Sequence, residues 1–184
     1  MDPRKVCILL TLHCTQERVE EYTKSGALWK AASGSFRRVV TVDSANDQHI
    51  KTDHALQMYH RSPSYGEKMS ILTAMPSLID CPFIFKWTGR YYSDDFVYAL
   101  ANVSSDASLV LQHRRDTRGQ NSELFGTTLD GLLQILRYVQ LKPYVPMERA
   151  LLLYAKNATS ARLPALRWNF LAEQKSRSRL FAYL

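Results

Sequence analysis

Seven consecutive β-favouring residues, Val6-Cys7-Ile8-Leu9-Leu10-Thr11-Leu12, begin the hydrophobic pattern of this chain. An unbroken run of that kind predicts a strand covered on both faces. Residues 16–31 change period: Val19, Tyr22 and Leu28 fall towards a core, Glu and Lys residues fall outward, Thr15 offers a cap and Gly34 lies just beyond the end, which predicts an amphipathic helix. A second strand is predicted over residues 38–42, closing on the acidic, turn-rich segment 43–47. The pattern weakens over residues 48–65, where an irregular connection with a short helix near residues 55–59 is expected. Gly66-Glu67-Lys68 precedes a predicted helix at 69–75, ended with the help of Pro76, and a third strand runs over 82–87. Beyond it the reading is a helix from Asp94-Asp95 through Ala101, a strand at 108–113, a polar loop at 114–121, helices at 129–139 and 146–156, and a final strand or arm at 163–171. Alternation of this kind predicts one three-layer α/β domain, residues 1–184, with a mainly parallel sheet.

Composition narrows the class without naming a function. With 184 residues, 46% hydrophobic and 22% charged, the chain is ample for one packed domain and short for two. The formal charge of +7 is scattered, with denser groups only at Arg37-Arg38, Arg114-Arg115-Arg118 and residues 175–179. A phosphate-bearing small molecule fits that distribution as well as a nucleic acid does. Cys7, Cys14 and Cys81 are odd in number and lack CxxC spacing, so neither a disulfide framework nor a structural zinc site is expected, and a reducing, cytoplasmic setting is. Residues 6–12 are too short to span a bilayer and lack the pattern of a signal peptide. There is no GxxxxGK[ST] loop, no GxGxxG turn after the first strand and no GxSxG elbow, which removes the P-loop, dinucleotide and α/β-hydrolase readings.

The chemistry concentrates where the third strand ends, in Lys86-Trp87-Thr88-Gly89-Arg90-Tyr91-Tyr92-Ser93-Asp94-Asp95. Ligands of open α/β sheets gather outside the carboxyl ends of the strands, so cations, aromatics and carboxylates there point to an anionic ligand. Strand alternation allows at most one of Tyr91 and Tyr92 to face it. Asp43 ends the second strand, where a carboxylate serves either an Asx-turn or a ribose. Asp94 and Asp95 read either as a helix cap with a first-turn carboxylate or as metal ligands. His13 reads as a pocket wall, while His49, His54 and His60 lack metal-ligand spacing.

Together, the strand start Ile8 to His13, the strand end Asp43-Ser44, the Gly66-Glu67-Lys68 loop and above all Lys86-Trp87-Thr88-Gly89-Arg90-Tyr91-Tyr92 resemble small nucleotide-sugar-dependent glycosyltransferases of the GT-A type. These include bacterial and large-virus polysaccharide enzymes with a Lys-x-Thr/Ser-Gly-Arg-Tyr segment. The segments Ser122 to Gly126 and Met147-Glu148-Arg149 fit the same pattern. The resemblance implies a Rossmann-like domain that binds a nucleoside diphosphate sugar, such as a UDP-sugar, through His13, Asp43, Ser44, Lys68, Lys86, Thr88, Gly89, Tyr91 and Tyr92. A glycan or lipid-linked acceptor enters from the other side. One departure matters: where that class carries an Asp-x-Asp motif for Mg²⁺ or Mn²⁺, this chain has Lys86 to Arg90. Two solutions stay open, neutralisation of the diphosphate by Arg90 with Lys86 or Lys68, or a metal held by Asp94 and Asp95. The implied reaction is direct displacement with a carboxylate base, Glu123 first, then Glu148, then Asp94 or Asp95, and Arg90 at the leaving group. Two other classes compete. One is an RNA-binding module built on Tyr91, Tyr92, Arg114, Arg115 and Arg118. The other is a nucleotidyltransferase, which usually needs a Gly-rich basic loop that residues 12–18 do not supply.

Overall fold

Why the apolar runs become strands is clearest at the first, β1 (Val6–Leu12), buried at every position in the computed structural model, which describes residues 1–45, 48–56, 63–112, 122–141 and 144–163. A 3-10 turn, Gln16–Arg18, then leads into α1 (Val19–Ala32); Thr15 makes no side-chain cap, contrary to expectation. Next come β2 (Arg38–Asp43) and a two-residue strand, β3 (His54–Ala55), where a short helix was expected to start. Residues 57–59 of that expected helix lie outside the described residues. The following helix, α2 (Pro63–Ala74), begins six residues before the predicted start at Met69, so Gly66-Glu67-Lys68 is helical rather than a loop. Pro63, whose fixed φ suits a first helical turn, supplies the earlier start.

The third predicted strand is β4 (Phe83–Thr88), followed by α3 (Phe96–Ala101) and β5 (Leu109–Gln112). Leu124-Phe125-Gly126, where the pattern predicts no strand, belong to one, β6 (Leu124–Thr127). It is antiparallel to β4, and a Cβ on Gly126 would sit 2.5 Å from the Phe85 ring. Glycine is what lets the two strands pair there. The chain continues through α4 (Leu129–Tyr138), capped by Thr128, a short hairpin of β7 (Gln140–Leu141) and β8 (Tyr144–Val145), α5 (Met147–Ala155) and β9 (Ser160–Leu163). Residues 164–171 of the predicted last segment, the polar loop 114–121 and the tail 175–179 lie outside the described residues.

The main sheet has the order β3-β2-β1-β4-β6-β5-β9, and among its described strands β6 alone runs against the rest. This is the single α/β domain with a mainly parallel sheet that the alternation predicts. One face packs against α1 and α3, the other against α2, α4 and α5, which makes three layers. The first face is strongly aromatic: Trp29 meets Trp87 edge-on at 4.9 Å, and Phe96 meets Trp87 and Phe85 at 4.6 and 5.1 Å. Such pairs contribute about 0.5–1.5 kcal/mol each beyond area burial. The second face is mostly aliphatic, with Leu9, Val40, Ile71, Ile84, Leu132 and Leu151.

The cysteines overturn the sequence expectation. Cys7 on β1 and Cys81, just before β4, form a disulfide across the amino-terminal end of the sheet, with Cα atoms 5.9 Å apart. The register Val6↔Phe83 brings the two positions together although 74 residues separate them. A structural disulfide belongs to oxidising surroundings, so the cysteine count no longer argues for a reducing compartment. Cys14 keeps a buried thiol, pushed above its usual pKa by burial and by the Asp43 carboxylate. No helix among the described residues is long and apolar enough to cross a membrane.

Candidate functional site

Between β1 and β4 the strand order reverses: the chain leaves β1 outward to β2 and β3 and returns on the other side as β4. Helices before and after such a point cover opposite faces, leaving a crevice at the carboxyl ends of the strands. A cleft of about 500 Å³ occupies that place. Thr11, Leu12 and His13 come from the end of β1, Ser44 from the end of β2, and Thr88 and Arg90 from the end of β4. Arg18 and Tyr22 close it on the α1 side, Glu67 and Ser70 on the α2 side, and Ser122 beside β4.

The turn after β4 is fixed from three directions. Tyr91 N donates to Thr88 O at 3.1 Å, and Gly89 N donates to Thr11 O at 2.9 Å. From α1, Ser25 Oγ donates to Gly89 O at 2.6 Å and Trp29 Nε1 to Tyr91 O at 2.8 Å. A Cβ on residue 89 would stand 2.9 Å from Leu12 Cγ, so only glycine permits this approach. The clamped turn sends Arg90 into the cleft, with its guanidinium 4.8 Å from the Tyr91 ring centre and 4.0 Å from the Glu123 carboxylate. Arg90 Nε is buried and has no hydrogen-bond partner among the described residues. Buried polar atoms are rarely left so.

Glu123 stands just before β6; its carbonyl accepts from Thr88 N at 2.8 Å and its carboxylate from Tyr91 Oη at 3.5 Å. Burial and then the Glu123 charge push the Tyr91 phenol up to about 12, so it remains a donor at neutral pH. Tyr92 turns the other way: its ring meets Trp29 edge-on at 5.1 Å, and its phenol, raised first by burial, bonds to Asp94. Neither tyrosine is among the residues that border the cleft, and β4 ends at Thr88, before both, so strand alternation does not govern them. Their rings turn to different neighbours rather than form one stacking platform, and the arginines meant to complete it at 114, 115 and 118 lie outside the described residues.

Lys86 points to the opposite face of β4 from the aromatic core and is only 1% exposed. It forms an ion pair with Glu67 and donates to Ser122 O at 2.7 Å and to Thr88 Oγ1 at 3.5 Å. Its ammonium therefore braces the cleft floor, its charge already matched by a carboxylate. Burial pushes the Glu67 carboxyl above the ordinary range; Lys86 opposes the shift, and the Glu148 and Glu123 charges add to it. Glu148 sits one step behind, accepting from Ser122 Oγ at 3.0 Å. Lys68 lies outside the cleft wall, its Nζ donating to Val139 O at 3.1 Å beyond the end of α4.

Asp43 is fully buried behind the wall. Its Oδ1 accepts from Cys14 N at 3.1 Å and Ala45 N at 3.0 Å, an Asx-turn that ties β2 to the loop after β1, while Oδ2 has no partner among the described residues. The arrangement delivers Ser44 to the cleft, where its hydroxyl donates to Leu12 O at 3.0 Å and lies 3.3 Å from His13 Nδ1. Asp94 and Asp95 are exposed and do not border the cleft; Asp95 immediately precedes α3 without capping it. Among the described residues no three His, Cys, Asp or Glu side chains are grouped to hold a metal ion. The two aspartates thus do not fit a metal seated on a diphosphate in this cleft.

Sequence reasoning passed over Arg18, Tyr22, Glu67, Ser70 and Ser122. A signal for Arg18 was present, since a cation between a strand end and a helix start faces the same crevice. Glu67 carries no signal of its own in the sequence; helical phase, set by the start of α2 at Pro63, decides that it and not Lys68 faces the cleft.

No protein-family model matches this sequence, and neither does any curated protein. Solved structures do. A glycosyltransferase involved in the glycosylation of the major capsid of PBCV-1 is similar with a TM-score of 0.51 and 8% identity, over 75% of this chain and 68% of that one. The inositol-1-phosphate CTP transferase from T. maritima is similar with a TM-score of 0.52 and 9% identity, over 90% of this chain and 88% of that one. At such identities the likeness establishes the fold, a Rossmann-like α/β domain.

Proposed function

We propose that this protein transfers a sugar from a nucleoside diphosphate sugar to an acceptor hydroxyl of a glycan or lipid-linked saccharide. The observation that carries the reading is Arg90: a guanidinium delivered by a clamped turn into the switch-point cleft, with a buried N–H unpartnered among the described residues. A second cation, Arg18, borders the same cleft. Arginine matches phosphate oxygens two at a time. In the reaction, the acceptor oxygen bonds to the anomeric carbon as the bond from that carbon to the diphosphate breaks, and the diphosphate leaves with the electron pair. The acceptor proton passes to a carboxylate, for which Glu123 is the first candidate and Glu148 the second. Arg90 and Arg18 stabilise the charge that builds on the leaving oxygens. Glu123 stands just behind the cleft lining, 4.0 Å from Arg90, and in this reading that proximity couples the base to the leaving-group cation.

Thermal shift tests the reading. UDP, GDP and their sugars, each with and without Mn²⁺, are compared with oligonucleotides; saturation at about 100 times Kd adds about 2.7 kcal/mol of stability. Stabilisation by a nucleoside diphosphate and release of it from the sugar form support transfer. Failure of every nucleotide to stabilise the protein sinks it. Nucleotidyl transfer is the second reading, favoured by the broader match to the CTP transferase. It expects CTP to bind better than any diphosphate and pyrophosphate to be released with a sugar or polyol phosphate. The absence of glycine from residues 12–18 ranks it second.

A further inference from the structure

A second cavity of about 460 Å³ lies beneath α1, between that helix, β1 and β2. It is separate from the cleft but shares Leu12 and Tyr22 with it as a common wall. Its size falls within the roughly 300–1,000 Å³ of small-molecule sites. Leu10 and Trp29 stand almost wholly covered at its base, and half-buried Val39 and Ile50 supply its accessible apolar wall.

Gly26 gives the cavity its meaning. It borders the space from within α1, and a Cβ built there meets nothing within 4 Å. A glycine inside a helix is destabilising relative to alanine, and no neighbour here requires one. Gly26 is exposed, and the missing side chain leaves the mouth of the cavity open.

The rim supplies the chemistry. Lys30 and Lys51 are exposed cations on it, and Asp53 is the one carboxylate among the described lining residues. Asp53 Oδ2 is taken by Thr41, from its backbone N–H at 2.7 Å and its hydroxyl at 2.8 Å. We infer that this cavity is a binding site for a small amphipathic anion, whose apolar body lies against Val39 and Ile50 and whose acid group meets Lys30 and Lys51.

Calorimetric titration with decanoate, decanol and decyltrimethylammonium, which share one alkyl chain, tests the inference below their micellar concentrations. One decanoate should bind per chain, decanol more weakly and the cation least. Gly26→Leu, which places a bulky side chain at the mouth while improving helix propensity, should weaken decanoate by about tenfold or more without lowering the melting temperature. Lys30→Gln combined with Lys51→Gln, at exposed positions, should cost decanoate about tenfold and leave decanol unchanged, so the charge argument stands apart from any effect of the Gly26→Leu substitution on α1. Equal affinity for the three probes, no binding of any, or decanoate binding unaltered in both variants would overturn the inference.

Discussion

The two ends of the parallel sheet are finished in opposite ways. At the amino-terminal end, Cys7 is bonded to Cys81, Arg37 and Arg38 both pair with Asp80 at 3.0 and 3.1 Å, and the Met1 ammonium donates to Leu100 O and Val103 O. At the carboxyl end, Arg90 Nε and Asp43 Oδ2 are buried without partners among the described residues, and the Lys86–Glu67 pair lies under an open cleft. Hydrogen-bonding capacity left unmet inside a protein has a cost, and here it sits at the strand ends where α/β domains take ligands. One end holds the domain together; the other keeps groups in reserve.

The comparison can be broken most forcefully at Lys86. Lys86→Met strips the half-buried Glu67 of its partner and should destabilise by about 3 kcal/mol in urea unfolding. Adding Glu67→Leu should recover most of that loss, because an apolar pair can replace a buried ion pair. Recovery would show that the pair shapes the cleft floor more than it stabilises the fold. Next in size, Arg90→Ala should lower transfer by about 10²–10³-fold, the scale of a lost transition-state donor, with an unchanged urea midpoint. An active Arg90→Ala enzyme would refute its assignment to the leaving group.

At the closed end the pattern should invert. Replacing Cys7 and Cys81 with alanine should cost about 2–4 kcal/mol of stability and leave nucleotide affinity as it was. If affinity fell as well, the two ends would not be separable. The smallest effect is alkaline. The folded pKa of Tyr91, about 12, stands above its ordinary value of 10.0, so folding favours the protonated phenol. The stability this adds is complete below pH 10 and drains as pH rises through about 12. Tyr91→Phe should flatten that part of the melting-temperature profile and leave the acid side unchanged.

Sequence pattern carried the architecture where the signal was local. The apolar run 6–12 and the periodic segments 129–138 and 147–155 appear where expected, because burial on both faces or along one stripe writes itself into neighbouring positions. What escaped depends on distant partners. β6 is four residues long with a glycine in it, and only the Phe85 ring across the pair explains that glycine. The disulfide depends on a register between strands whose pairing no spacing rule reveals. The candidate site divides the same way. His13, Ser44 and Arg90 border the cleft because they follow strand ends, Thr88 because it closes β4, and Lys86 from within that strand. Glu67 does so because of helical phase, and Lys68, one residue on, lies outside the cleft wall.

The Cys7–Cys81 bond also changes what a protease can do to the molecule. It closes residues 7–81 into a covalent ring that contains α1, β2, β3 and α2, and with them Arg18, Tyr22, Ser44 and Glu67 of the cleft. A single cut at exposed Lys51 opens that ring without releasing a fragment. The nicked chain migrates as one species until it is reduced, and both walls of the cleft stay tethered to one another after the backbone between them has been severed.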